Sequence, residues 1–550
     1  MPPNDTPSSH RPISISARLP SSASMSEKMS IPEDPALHRS LKTRHITMIS
    51  LGGTIGTGLF LASGASIAGA GPGGALVAYI LIGVLVYFMM TSLGEMATFL
   101  PITGSFNSYG ARFVDPAFGF ALGWNYWYSW ATTVAVELTA ASLIMGFWFP
   151  TVSPILWSAI TLIIIFGLNL ISVKSYGEAE YWFSLIKVIT IILFIIFGIF
   201  IAAGVIGGHT YGFDNWKTGE TFHGGFVGCL SVFLAAGFSF QGTELVGVTA
   251  GESENPRKDV PKAITQTFWR ILLFYIFSIF ITGLIVPWND PKLLASGSDG
   301  SVSPFTIVFT NAGLAAASHI MNVIILITVL SAGNSGMYAA SRTLYILAQE
   351  NKAPKFLTKV SKNGVPVYAL LATAIVGSLA FTTSLFGNGV VYMWLLSMAG
   401  VSGFIAWLGI AISHYRFRKA FIRQGHSLDE LPYRALLFPI GPILATILIV
   451  FIVGLQGYAV VATSTGDINP ETIVAAYIGI PLFLIFYLTY KIWNKTKFVS
   501  LDTMDLDTGR LIHLEQDYEK RGIHLNQQDQ GTGLWARIKR NKVVQMLDNV

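Results

Sequence analysis

Charged side chains are scarce in this 550-residue chain, and the scarcity is uneven. They make up 12% of it, about half the ~25% usual in soluble domains. The first 45 residues hold 6 Lys/Arg and 4 Asp/Glu, and the residues after Trp493 hold 9 and 8; the 448 between keep 20 and 18. A middle of that size with so few charges has no means of covering a water-facing surface, so lipid is its expected outer solvent. Cysteine is nearly missing. Cys229 stands alone, which excludes an internal disulfide and reads as a small packed residue inside an apolar run. Also absent are GxxxxGK[ST], HExxH, CxxC and GxSxG, so ATP-driven transport and the familiar membrane hydrolases lose their signatures and no enzyme is expected. The net charge of +5 is spread over short loops and two mixed-charge tails, not gathered on one basic face, which sets nucleic-acid binding aside.

What is present is apolar sequence of membrane-spanning length. Residues 1–45 are rich in Ser and Pro, lack an apolar signal-peptide core, and read as a disordered tail. From 46 to 493, twelve stretches come near or exceed the ~20 residues that cross a bilayer: about 46–68, 73–99, 117–148, 154–174, 181–205, 226–250, 264–287, 315–347, 366–385, 389–413, 436–463 and 471–493. The expected class is an all-α polytopic membrane protein with a transmembrane domain at 46–493 and a C-terminal tail at 494–550. Twelve spans place both tails on one side. Loops on that side carry fourteen Lys/Arg, against only Lys217 and Lys292 on the other, so both tails are expected in the cytoplasm. The sequons at Asn4 and Asn494 lie only in those tails, where glycosylation would not reach them.

Two spans carry glycine clusters where a plain helix avoids them. The first holds Gly52-Gly53-Thr54-Ile55-Gly56-Thr57-Gly58, and the sixth runs from Gly237 through Gln241-Gly242-Thr243-Glu244 to Gly247. Unwound backbone at membrane depth needs protein, water or a ligand to satisfy it. Interruptions in spans one and six are the pattern of a five-plus-five inverted repeat with a substrate site between them. The alternative is close packing through small residues, since Gly52 and Gly56 also form a GxxxG. Ionisable residues within spans are few, and each costs roughly 2.5–3.5 kcal/mol at mid-membrane. Glu244 lies inside the second break, either at a site or capping its freed amides. Glu137 is near the middle of the third span and Lys187 about two turns into the fifth; each belongs to a site or to a structural buried pair. Glu95, a turn from a span end, reads as solvated or capping, and Arg270 and Arg342 as snorkelling to headgroups. The aromatic run Trp124, Tyr126, Trp127, Tyr128 and Trp130 reads as helix packing, with one ring at most in a pocket.

These residues sit in long strings: GGTIGTGLF at 52, SLGEMATFLPITGSF at 92, GEAEYWFSLIKV at 177, FSFQGTELVGVTAGESENPRKDVPKAI at 238, FWRILLFY at 268 and VLSAGNSGMYAASRTLY at 329. By them the chain resembles the amino-acid permeases of the amino acid-polyamine-organocation superfamily, and more closely the yeast amino-acid transporter family, over nearly all of 44–493. The resemblance implies twelve helices, ten in an inverted repeat, and proton-coupled uptake of amino acids at the plasma membrane with no cofactor beyond the coupling proton. A sensor of the same fold with little flux is the alternative.

The resemblance also implies a site. Amides around Thr54, Ile55, Gly56, Thr57 and Gly58 take the substrate carboxylate. Carbonyls near Phe238 and Ser239 take its α-amino group, and the Phe238 ring occludes it. Gly242, Thr243, Glu244, Glu137, Ser129 and Ala399 complete the candidate substrate set, and Lys187 and Glu244 are the candidate proton-coupling groups. GFALGWNYWYSW at 119 and GFIAWLGIAISHYRFR at 403 resemble lysine-selective permeases, which favours a cationic substrate. Ser129 and Ala399 depart from that pattern, where such permeases tend to present Asn and Ser, so the expected substrate is cationic or broad in range. Terminal tags on intact cells test the topology: both should resist external protease, and cleavage of either from outside would reverse the assignment.

Overall fold

The computed structural model describes residues 55–102, 104–171, 173–217, 221–250, 256–294, 303–463, 470–508 and 510. All regular structure among them is helical. Nine helices are long and apolar enough to cross a bilayer, and a tenth crossing is the pair Pro470–Tyr477 and Gly479–Asn494 (together α12), bent by 45°. One of the nine, Gly58–Phe99, is 42 residues long and breaks at Gly71, with φ 72° and ψ 171°. That conformation suits glycine, and Pro72 can then open a new helix. The stretch is therefore two spans, α1 (58–70) and α2 (72–99). Pro116–Gly146 (α3) has 31 residues, ample at 1.5 Å per residue, although its tryptophans and tyrosines dilute its hydropathy. All twelve expected spans are thereby accounted for.

The others follow in order: α4 Pro154–Ile171 and α5 Val173–Ala202, then α6, interrupted into Gly225–Ser231, Phe233–Phe240 and Leu245–Ala250. Next come α7 (256–285), α8 Ala315–Gln349, α9 Val367–Phe386, α10 Asn388–Arg423 and α11 Ile440–Ala462. Several helices outrun their apolar stretches. α5 starts at Val173 and not 181, α7 at Pro256 and not 264, and α10 runs on to Arg423. Charged turns continue a helix wherever their side chains find partners, which a hydropathy boundary does not register.

The molecule is inverted relative to a water-soluble one. Ile189, Ile192, Leu193, Ile196, Ile199 and Phe200 of α5 face outward, while Thr57, Ser66, Thr132, Glu137, Ser239 and Thr328 are buried. Several buried charges have partners inside the protein. Glu95 of α2, expected to be solvated or capping, is fully buried and accepts from Arg418 Nε (2.5 Å) and Nη2 of α10 and from Ala435 N (2.8 Å), with His414 Nε2 3.1 Å away. Arg270 does not snorkel either; it is buried and donates to Thr243 Oγ1 at 2.8 Å. Arg342 is buried too, its guanidinium stacked 3.6 Å over the Tyr338 ring. In each case a local partner replaces water, so the side chain has no need to reach the headgroups.

Residues 495–508 and 510 fold back along the ends of α3 and α10. Asp115 caps α3 through Ala117 N (2.9 Å) and accepts from Thr496 Oγ1 (2.7 Å) and Lys491. Arg416 donates to Phe113 O (2.6 Å) and to Val499 O, and Gln424 reaches the carbonyls of Leu501 and Met504, each at 2.9 Å. Met504 and Leu506 of this strap are buried. Arg510 donates to Glu430 at 2.7 Å, a contact that holds the Glu430 carboxyl below its ordinary value.

Candidate functional site

The two breaks meet. At the first, regular helix begins only after Gly56, as a wide π-helical turn over Gly58–Ala62. At the second, α6 stops at Phe240 and resumes at Leu245, with Gly242 at φ 89°. A Cβ on Gly58 would lie 2.4 Å from Ser239 Cα, so glycine is what lets these backbones touch. Tyr79 of α2 ties them together, its hydroxyl sharing a hydrogen bond with Ser239 Oγ at 3.0 Å and donating to Gly58 O at 3.5 Å.

A small cavity lies where they meet. The first break contributes Gly56 and Gly58 to its wall, α3 contributes Trp130, Thr133 and Glu137, α6 contributes Phe238, Ser239 and Gln241, and α8 contributes Ala332. Among the described residues of that lining, Glu137 is the only ionisable one. Thr57 Oγ1 donates to its Oε1 at 3.0 Å, and its buried Oε2 has no hydrogen-bond partner among the described residues. The Gly56 position carries this arrangement as well: a Cβ there would lie 3.1 Å from Glu137 Oε1 and 3.2 Å from Ala332 Cβ.

Glu244 is built differently. Its carboxylate accepts from Gly242 N (3.2 and 3.1 Å), Trp407 Nε1 (3.1 Å) and Tyr126 OH (3.3 Å). It does not line the cavity, and its geometry is that of a cap for the unwound turn. Thr243 joins the same network through Phe240 O (2.6 Å) and Arg270. Ser129 and Ala399 meet each other, Ser129 Oγ donating to Ala399 O at 3.4 Å, away from the cavity wall. Lys187 stands behind the wall, fully buried, with Nζ 3.9 Å from Glu180 Oε1 and within coulombic reach of Glu137. Ile55 is buried at the start of the described first span, whereas Thr54 lies outside the described residues.

Of the candidates, then, Gly56, Gly58, Phe238, Ser239 and Glu137 line one cavity, and Thr57 is one hydrogen bond behind it. Sequence reasoning missed Tyr79, Gln241, Ala332 and Glu180. Gln241 stood inside the break motif, and its Nε2 donates to Ala399 O and Gly400 O, each at 3.0 Å. Glu180 precedes Lys187 by seven residues, two helical turns on one face, but the expected span began one residue after it.

The chain matches the amino acid permease family over residues 45–502. The chain belongs to the amino acid permease family. It is 56% identical to the lysine-specific permease LysP of Escherichia coli over 86% of its own length and 97% of that protein. It is 52% identical to the histidine permease HisP of Lactococcus lactis over 85% and 98%, and 41% identical to the basic amino-acid permease of Saccharomyces cerevisiae over 90% and 88%. The permease is accordingly a multi-pass membrane transporter of amino acids and not an enzyme.

Gly58→Ala tests the meeting of the breaks. A methyl group 2.9 Å from Ser239 N as well as 2.4 Å from its Cα has no flexible neighbour to displace, and overpacking of this kind costs about 1–3 kcal/mol. Uptake per surface molecule should fall at least about tenfold, the equivalent of ~1.4 kcal/mol; wild-type uptake by a normally expressed variant would contradict the geometry.

Proposed function

We propose that this permease imports cationic amino acids, lysine foremost, together with a proton across the plasma membrane, its termini in the cytoplasm. The observation that carries the substrate class is the free Oε2 of Glu137 in a cavity with no other ionisable lining residue. A carboxylate in that setting is costly until a cation meets it, and an ammonium at hydrogen-bond distance meets it well. Trp130 and Phe238 give the methylene stem of such a side chain an apolar wall. The substrate carboxylate is assigned to the N-terminal amides of α1, where freed N-H groups and the helix dipole favour an anion. The α-amino group is assigned to the carbonyls around Phe238 and Ser239. The names of the relatives in Escherichia coli and Saccharomyces cerevisiae support a basic substrate.

The coupling proton is assigned to Lys187. In this reading, proton loss from this buried ammonium to the cytoplasm is linked to release of the substrate held by the first-span break. Glu244 keeps the second break in shape and serves this cycle by position. Radiolabelled lysine uptake in a permease-deficient cell, competed with cationic, neutral and acidic amino acids, tests the assignment. In Glu137→Gln the apparent affinity for lysine should drop about 30-fold or more, from the ~2 kcal/mol lower bound for stripping one partner from a buried charge pair. Neutral amino acids should compete relatively better. Unchanged lysine affinity would place the side-chain ammonium elsewhere.

A further inference from the structure

Behind the cavity wall lies a second buried carboxylate, Glu180 of α5, which nothing in the substrate site uses. Its Oε1 is held from α8 by Ser331 Oγ at 2.7 Å and approached by Ser184 Oγ at 3.5 Å, while its Oε2 has no hydrogen-bond partner among the described residues. Ser331 is the neighbour of Ala332, whose side lines the cavity. Glu180 is therefore fixed by the cavity wall itself. Lys187 is not bonded to it tightly: 3.9 Å is well beyond the ~2.7–2.9 Å of a charge-assisted hydrogen bond. Both side chains are fully buried, so little water screens the field between them.

We propose that Glu180 is the positioning residue of proton coupling: from its anchor on Ser331 it holds the Lys187 ammonium between itself and Glu137. The inference rests on the reading of Lys187 as the proton carrier. Lys187 is the one base between two acids, Glu180 behind the wall and Glu137 at the cavity. Movement of Ala332 and Ser331 as the cavity fills or empties would shift Glu180 and, through it, the hold on the proton. The surroundings add little competing charge. The packed faces of α4 (154–171) and of the last turns of α7 (277–285) contain no ionisable residue, and α8 presents Ser331. On α5 itself Glu178 and Tyr181 have partners of their own. From α10, the buried Tyr392 hydroxyl lies in the field of Glu137.

The sign of the effect follows. Glu180 favours a charged Lys187, so its removal makes the ammonium harder to keep and a more acidic exterior is needed to load the proton. In Glu180→Gln the pH at which lysine accumulation is half-maximal, normalised to surface protein, should move towards acid by roughly one unit or more, the size expected for losing an opposite charge at this distance. Glu180→Asp, which keeps the charge but withdraws it by a methylene, should move it the same way by less, and it decides the matter if Glu180→Gln fails to reach the surface. A purely structural Glu180 would lower the amount of surface protein and leave the profile of the surviving molecules where it was. A wild-type profile, or an alkaline shift, in surface-expressed variants would overturn the proposal. Wild-type protein whose accumulation ignores pH would instead overturn the Lys187 reading beneath it, a failure recognisable because it needs no variant.

Discussion

Everything in this permease is arranged around backbone that has left its helix in a place without water. A freed N-H or C=O in hydrocarbon costs several kcal/mol, and two spans free such groups side by side. The compensation comes from neighbours in the chain. Gly58 admits the Ser239 backbone, Tyr79 bonds to both breaks, and Glu244 collects Gly242 N, Trp407 and Tyr126 on one carboxylate. Gln241 turns its amide onto the carbonyls of α10. With these in place, Oε2 of Glu137 at the wall of the cavity is still without a hydrogen-bond partner among the described residues.

The same economy governs charge. Glu95 with Arg418, and Glu180 with Lys187, are buried as pairs, and each would be expensive alone, since breaking a buried pair costs about 3–5 kcal/mol. The two pairs differ in tightness. Arg418 grips Glu95 with two donors and is backed by Ala435 N, which suits a fixed joint between α2 and α10. The Lys187–Glu180 contact, at 3.9 Å, is the looser of the two. Outside the membrane, residues 495–508 tie the start of α3 and the end of α10 through Asp115, Arg416 and Gln424. Whatever moves during transport therefore moves against a scaffold fastened at that end.

Much of this was legible in the sequence because hydrophobic length and glycine clustering are local signals. The twelve spans, the two breaks, and the roles of Gly58, Phe238, Ser239 and Glu137 in one cavity follow from them and from the family strings. What escaped was non-local. Glu95 reads as solvated or capping because its partner Arg418 is 323 residues away. For Glu244 the sequence leaves site and cap both open, and the donors Trp407 and Tyr126 that surround it come from distant helices. Glu180 fell outside its span because a hydropathy boundary cannot credit an acid with a serine on α8, and the strap at 495–510 looks like any mixed-charge tail until the carbonyls that Arg416 and Gln424 reach are known.

The central claim is that the cavity between the breaks binds a cationic amino acid. The single cysteine, Cys229, makes a direct test simple. In a Cys229→Ser background, Thr133→Cys places one thiol on the cavity wall opposite Ala332 and beside Glu137. The rate of its modification by a small thiol reagent should fall as lysine is added, with half-protection at the concentration that half-saturates uptake, and glutamate should leave it unchanged. Modification that ignores saturating lysine, or that glutamate slows equally, would contradict the account.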